Sequence, residues 1–174
     1  MATLQVDSFQ FSFEPTIAAE LYDTWQHYTA VWRTQATPQK AVDVVAVEPG
    51  ATTWLIEAKD FRVISSPPKP SNIAGLAKTV ADKVTHSLAG LEDAAVKAAS
   101  VAEKNHAQMA IAAPARRVVL HLEPHGGKHT ILFPLGFQAS VLQKLRQLVK
   151  ATDPNPLVLN IANTPSAGVP WTVA

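Results

Sequence analysis

The sequence predicts a single α/β domain, a mixed central β-sheet flanked by α-helices. Three observations predict it. Apolar residues recur at period two in some stretches and every three or four residues in others, and the two patterns alternate along the chain. At 174 residues the chain suits one core and is short for two. Its hydrophobic share of 47% against 17% charged residues is a globular balance.

The elements follow in order. ATLQVDSFQFSFEP holds Phe9, Phe11 and Phe13 at period two with Val6 out of step, and reads as an opening strand ended by Pro15. From Thr16 the period changes. Ile17, Leu21, Trp25, Tyr28 and Trp32, bracketed by Pro15 and Pro38, predict an amphipathic helix over about 16–34 with Glu20 beside its apolar stripe. AVDVVAV and TTWLIEAKDFRVI flank Glu48, Pro49 and Gly50 as a hairpin, and SSPPKPSN breaks the chain after it. Ile73, Leu76, Val80, Val84, Leu88 and Leu91 keep helical spacing; the alanine-rich stretch through Met109 either continues that helix or forms a second one after Gly90. RRVVLHLEP and HTILFPL around His125 to Lys128 predict a second hairpin, FQASVLQKLRQLVKA a helix and PLVLNIA a last strand. The Pro-containing tail, Thr164 to Ala174, is expected to order by docking Trp171.

The first hairpin carries the unusual charges. Strand side chains alternate faces, so Glu57 and Lys59 share one face and Ile56 and Ala58 the other. A hairpin symmetric about Gly50 pairs residues whose numbers sum to a hundred, which sets Asp43 opposite Glu57. Two carboxylates at cross-strand distance repel unless a cation joins them. A divalent ion would serve, and Lys59 beside it would hold or deprotonate a water. The competing reading is a solvated strand face on which Glu57, Lys59 and Asp60 pair across the strand.

This constellation resembles the PD-(D/E)XK nucleases, the restriction-endonuclease-like superfamily. The resemblance rests on Asp43 and on Glu57, Ala58 and Lys59, with Glu20 standing where Holliday-junction-resolvase-like and Mrr-like members carry a helical glutamate. It covers the layout of about residues 16–122, and Val42 stands where the superfamily's name would put a proline. It implies a restriction-endonuclease-like fold and hydrolysis of DNA phosphodiesters with Mg²⁺, for which Mn²⁺ would substitute. Asp43 and Glu57 would be metal ligands with the Ala58 carbonyl as a further one. Glu20 would support the metal, and Lys59 would place the water or offset charge on the phosphate. Arg62, Lys78 and Lys83 are the expected phosphate contacts, Lys78 also reading as a solvated helix face and Lys83 standing on the helix that, by the resemblance, often adds a polar residue to the site. A homodimer or a targeting partner is expected too, because a lone catalytic core must find its substrate. The alternative is a catalytically inactive nuclease-like module that binds a protein or nucleic acid.

Other classes recede. No run of eighteen apolar residues spans a bilayer, and MATLQVDSFQF lacks the basic and apolar regions of a signal peptide, so a cytoplasmic location is expected. Without cysteine there is neither a disulfide framework nor a thiolate metal site. A net charge of +1 leaves any polyanion-binding face to local clustering. There is no P-loop, dinucleotide fingerprint or Gly-x-Ser-x-Gly elbow. His121, Glu123, His125 and His129 allow a zinc site to be drawn, but it would lie across a turn without a helical ligand pair. Trp25, Tyr28 and Trp32 read as core rather than as a base-stacking platform.

Overall fold

The central hairpin forms about the turn that the sequence marks, and the rest of the molecule is arranged around it. The computed structural model describes residues 1–62, 74–125 and 132–174. Strands β4 (Val44–Glu48) and β5 (Thr52–Asp60) pair antiparallel with Val44 opposite Ile56 and Val47 opposite Thr53, and Gly50 takes the positive φ of 72° that the tight turn requires. On the other edge of β4 lies β3 (Ala18–Leu21), also antiparallel. Beyond β5 come β6 (Ala115–Glu123) and β7 (Leu157–Leu159), both parallel to their neighbours, giving a five-stranded mixed sheet in the order β3-β4-β5-β6-β7. A parallel β5–β6 pair needs a long crossover, and helices α1 (Leu76–Lys97) and α2 (Val101–Ala112) lie within it.

Helix α3 (Phe137–Val149) joins α1 and α2 on one face of the sheet. There Val45, Val47, Leu55, Val118, Leu120 and Leu122 meet Leu76, Val80, Val84, Leu91, Val141 and Leu145. The opposite parity of the same strands, Val44, Ala46, Trp54, Ile56 and Val119, meets a second sheet. That sheet is β1 (Ala2–Val6), β2 (Phe9–Phe13) and β8 (Trp171–Val173), in the order β1-β2-β8. The result is an α/β molecule of three layers, with the central sheet apolar on both faces. Among the described residues no helix is long and apolar enough to cross a membrane.

Several expectations are corrected. The opening segment is a hairpin of two strands, not one strand. Asp7, at φ 50°, and Ser8 turn the chain so that Val6 faces Phe9, which is why Val6 fell out of step. The helix expected over 16–34 is a strand, then a short 3-10 turn (Tyr22–Thr24) and a π-helical turn (Tyr28–Trp32). Ile17 and Leu21 fit both periods. Ala19 between them is buried as well, so period two wins once β4 offers a hydrogen-bonding edge. The second hairpin does not form over Leu132 to Leu135, which is not a strand; residues 126–131 lie outside the described residues. β6 instead takes parallel partners on both edges.

The alanine-rich helix breaks at Ala98 rather than Gly90, and Ser100 starts α2 by accepting the Glu103 backbone N–H at 3.3 Å. Gly90 stays inside α1 because a Cβ there would stand 2.3 Å from the Tyr22 hydroxyl and 2.8 Å from Trp32 Nε1. Trp171 docks as expected, packing edge-on against Trp54 with ring centroids 5.1 Å apart. Trp25 and Tyr28 are buried in the core and Trp32 packs against it.

Candidate active site

The register of β4 and β5 carries one step past the paired residues to set Asp43 across from Glu57, as the hairpin symmetry predicts. Asp43 is held twice. Its carbonyl accepts the Tyr22 N–H at 2.9 Å, and its Oδ2 accepts the Ala58 N–H at 2.8 Å across the hairpin. Glu57 shares the face of Leu55 and has no exposed surface, with Leu120 of β6 beside it in the sheet. A buried carboxylate needs compensating charge, and two lysines supply it. Lys59 Nζ lies 2.6 Å from Glu57 Oε1. Lys83, on α1 between Val80 and Val84, reaches down with its Nζ 2.7 Å from Glu57 Oε1, 2.8 Å from Oε2 and 3.5 Å from Asp43 Oδ1.

Burial and then the Asp43 charge raise the Glu57 pKa above the ordinary value, against the opposing pull of Lys59 and Lys83. Burial alone would lower Lys59, but the attraction of Glu57 and Asp43 outweighs it and holds the amine above its usual value. Lys59 is therefore an ammonium at neutral pH. Asp23, on the 3-10 turn after β3, is raised by desolvation and then by Asp43, with Lys83 opposing. Asp60 is partly desolvated, yet hydrogen bonds from Arg62 and Ser8 bring its pKa down to about 2.

The predicted residues divide. Asp43, Glu57 and Lys59 come together, and Ala58 lies between the last two with its N–H on Asp43. Glu20 sits on β3 rather than on a helix. It lines a pocket with Thr24, Trp25, Ser100, Glu103 and His106, and among the described residues it makes no ion pair with the lysines of the site. Asp23 is the acid whose charge couples to Asp43 and Lys83. It was missed because a helical reading of 16–34 gives it no relation to β4; strand pairing puts Tyr22 against Asp43 and so brings Asp23 to the rim. Lys83 belongs to the carboxylate cluster. Its signal was a lysine set between two buried valines of an amphipathic helix. Arg62 spends its guanidinium on Asp60 at 2.8 and 2.9 Å and lies over the Phe9 ring at 5.2 Å, while Lys78 pairs with Asp82 on an exposed helix face.

Burial of Glu57 removes the solvated-face reading for that residue. Zinc is not supported at His121, which is buried against Phe9 and Phe11 at ring distances of 4.7 and 5.5 Å; His129 lies outside the described residues. No group of three or more His, Asp or Glu side chains placed to hold a metal exists among the described residues. The oxygens of Asp43 and Glu57 are hard donors of the class that Mg²⁺ takes, and here the Lys83 ammonium stands between them.

No family model and no solved structure matches the chain. A cysteine–tRNA ligase of Neisseria meningitidis serogroup A / serotype 4A is 25% identical over 209 residues, which take in the whole of this chain and 30% of the ligase. The chain thus spans under a third of the length of the curated relative it matches.

Proposed function

We propose that the protein is a metal-dependent nuclease of the PD-(D/E)XK type with a restriction-endonuclease-like fold, cutting DNA phosphodiester bonds. The observation that carries this reading is the meeting of Asp43, Glu57 and Lys59 on one face of the central hairpin, with Glu57 fully buried. An antiparallel β3-β4-β5 set followed by a helical crossover to parallel β6 is consistent with the layout the resemblance implies, although a strand stands where its first helix was expected.

Asp43 and Glu57 would hold Mg²⁺, with the Ala58 carbonyl as a further donor. Bound there, the ion supplies Lewis-acid polarisation of the scissile phosphate. The protein's own groups do the rest. Lys59, as an ammonium, has no lone pair with which to take a proton; it holds the attacking water by its oxygen and offsets the charge that grows on the phosphate oxygens. Water attacks phosphorus in line and gives up a proton to bulk solvent, the far P–O bond breaks, and the leaving oxygen takes up a proton from solvent. The β1–β2 turn brings Asp7 near enough for its charge to bear on Lys59, which helps keep that amine protonated.

A second reading has its own support. Lys83 and Lys59 balance both carboxylates without any metal, as a catalytically inactive binding module would require. The two readings separate in one experiment. Labelled single-stranded, duplex, flap and four-way DNA are incubated with the purified protein and Mg²⁺ or Mn²⁺, beside Lys59→Ala; tRNA is included because of the ligase similarity. The nuclease reading expects cutting of at least one DNA that Lys59→Ala lacks while melting within a few degrees of the wild type. A folded wild type that cuts none of them leaves the binding module.

A further inference from the structure

We propose that Lys83 is the resident counter-cation of the site: it ties Asp43 to Glu57 in the metal-free protein and competes with the divalent ion for the same oxygens. The inference rests on the nuclease reading and adds to it how metal occupancy is controlled. Its basis is where the ammonium lies. Lys83 Nζ is within hydrogen-bonding distance of both Glu57 oxygens and 3.5 Å from Asp43 Oδ1, so it sits between the two carboxylates. Lys59 is placed differently. It pairs with Glu57 Oε1 from the rim, and its side chain is 31% exposed against 18% for Lys83.

Occupancy of the oxygens sets up the competition. Two carboxylates already face two ammonium groups, with Asp23 a further acid at the rim, so a divalent ion would enter a cluster whose Glu57 oxygens are both taken. Two cations at contact distance in a poorly solvated site repel strongly. One must leave, and the tethered ammonium, on a flexible four-carbon stem, is the one able to swing away without breaking the hairpin. Without Lys83 the metal-free state would bury a poorly compensated carboxylate, and binding would no longer require a resident cation to be expelled. Removing this lysine should therefore weaken the metal-free fold and tighten metal binding together, a combination that a purely structural ion pair does not give.

The test is calorimetric titration of the full, metal-stripped chain with Mn²⁺, comparing wild type, Lys83→Gln and the control Lys78→Gln, whose lysine pairs on an exposed face with Asp82. Lys83→Gln is expected to bind Mn²⁺ about tenfold more tightly, a change of roughly 1.4 kcal/mol, while Lys78→Gln binds as the wild type does. Metal-free Lys83→Gln should also melt lower than the wild type, and saturating Mn²⁺ should recover the difference. Equal or weaker binding by Lys83→Gln overturns the proposal, as does absence of binding in both proteins. Should Lys83→Gln not fold, lysine-selective ¹⁵N NMR of the wild type decides. A protected Lys83 ammonium signal that disappears on Mg²⁺ addition supports the displacement, and a signal absent beforehand or unmoved by Mg²⁺ overturns it. A protein that binds Mn²⁺ in this lysine-dependent way yet cuts nothing removes the nuclease reading alone. A cutting enzyme whose metal affinity ignores Lys83 removes this inference alone.

Discussion

Glu57 is the residue on which both the packing and the chemistry turn. It lies on a strand whose same-face neighbour Leu55 belongs to the core, and it stays ionisable there only because two ammonium groups reach it. Removing the acid leaves the Lys83 ammonium with Asp43 alone, at 3.5 Å. Glu57→Leu should therefore destabilise the fold by about 1–3 kcal/mol despite its good size match, the range for leaving a hydrogen-bonded group without its partner. Chemical denaturation of the two proteins checks it, and a loss under 1 kcal/mol would show that the lysines escape to solvent. Lys59→Ala should cost much less, because that side chain is already partly in water. At this scale the sequence is informative about pairs and silent about triples. The Asp43–Glu57 apposition follows from a symmetric hairpin around a glycine turn, whereas the reach of Lys83 to both carboxylates depends on how α1 docks, and its place between two buried valines is the local sign of it.

Among the elements, α1 shows how one missing side chain sets a packing distance. Gly90 lets Tyr22 and Trp32 lie against the helix, and Tyr22 is fully buried. Alanine usually favours a helix over glycine by about 1 kcal/mol, but here overpacking of about 1–3 kcal/mol opposes it. With contacts of 2.3 and 2.8 Å the clash prevails, so Gly90→Ala should lower the melting temperature. A rise would mean that the Tyr22 ring relaxes freely. The same region explains the largest misreading of the sequence. Ile17 and Leu21 satisfy a helical and a strand period alike, and only the edge of β4, distant in sequence, decides between them. α3, the β4–β5 hairpin and β7 were legible because each has one unambiguous period and its own flanking turn or break.

For the whole molecule, the three layers enclose His106 and His121 as neutral groups. His106 lies under the central sheet with its ring Nε2 3.2 Å from the Val45 carbonyl, and burial lowers its pKa to about 4. His121 is enclosed between the two sheets, and burial, followed by the Arg62 charge, also lowers it to about 4. Unfolded histidine takes up its proton near 6.5, so below that pH the unfolded chain binds more protons and gains on the fold. Stability is full above 6.5 and falls toward pH 4, by roughly 3 kcal/mol per histidine over the window. Glu57, raised above 4.5, opposes the fall as pH drops from its folded value to 4.5, and Asp60 adds a further loss from 3.8 down to about 2. Urea denaturation at several pH values should show this slope, and His121→Leu should remove about half of it. A stability unchanged from pH 7 to 5 in the wild type would contradict it.

The layers also leave the hairpin site at the end of the sheet where β5 ends at Asp60, beside the β1–β2 turn, with the acids and lysines gathered there. Whether that gathering is hydrolytic is tested most directly by cleavage of labelled duplex and four-way DNA with Mg²⁺, with Mg²⁺ removed by a chelator, and by Asp43→Ala with Mg²⁺. The prediction is cutting in the first case and none in the other two, with activity returning when Mg²⁺ is restored to the chelated wild type. Cutting that survives the chelator or the loss of Asp43, or a folded wild type that never cuts, would contradict it.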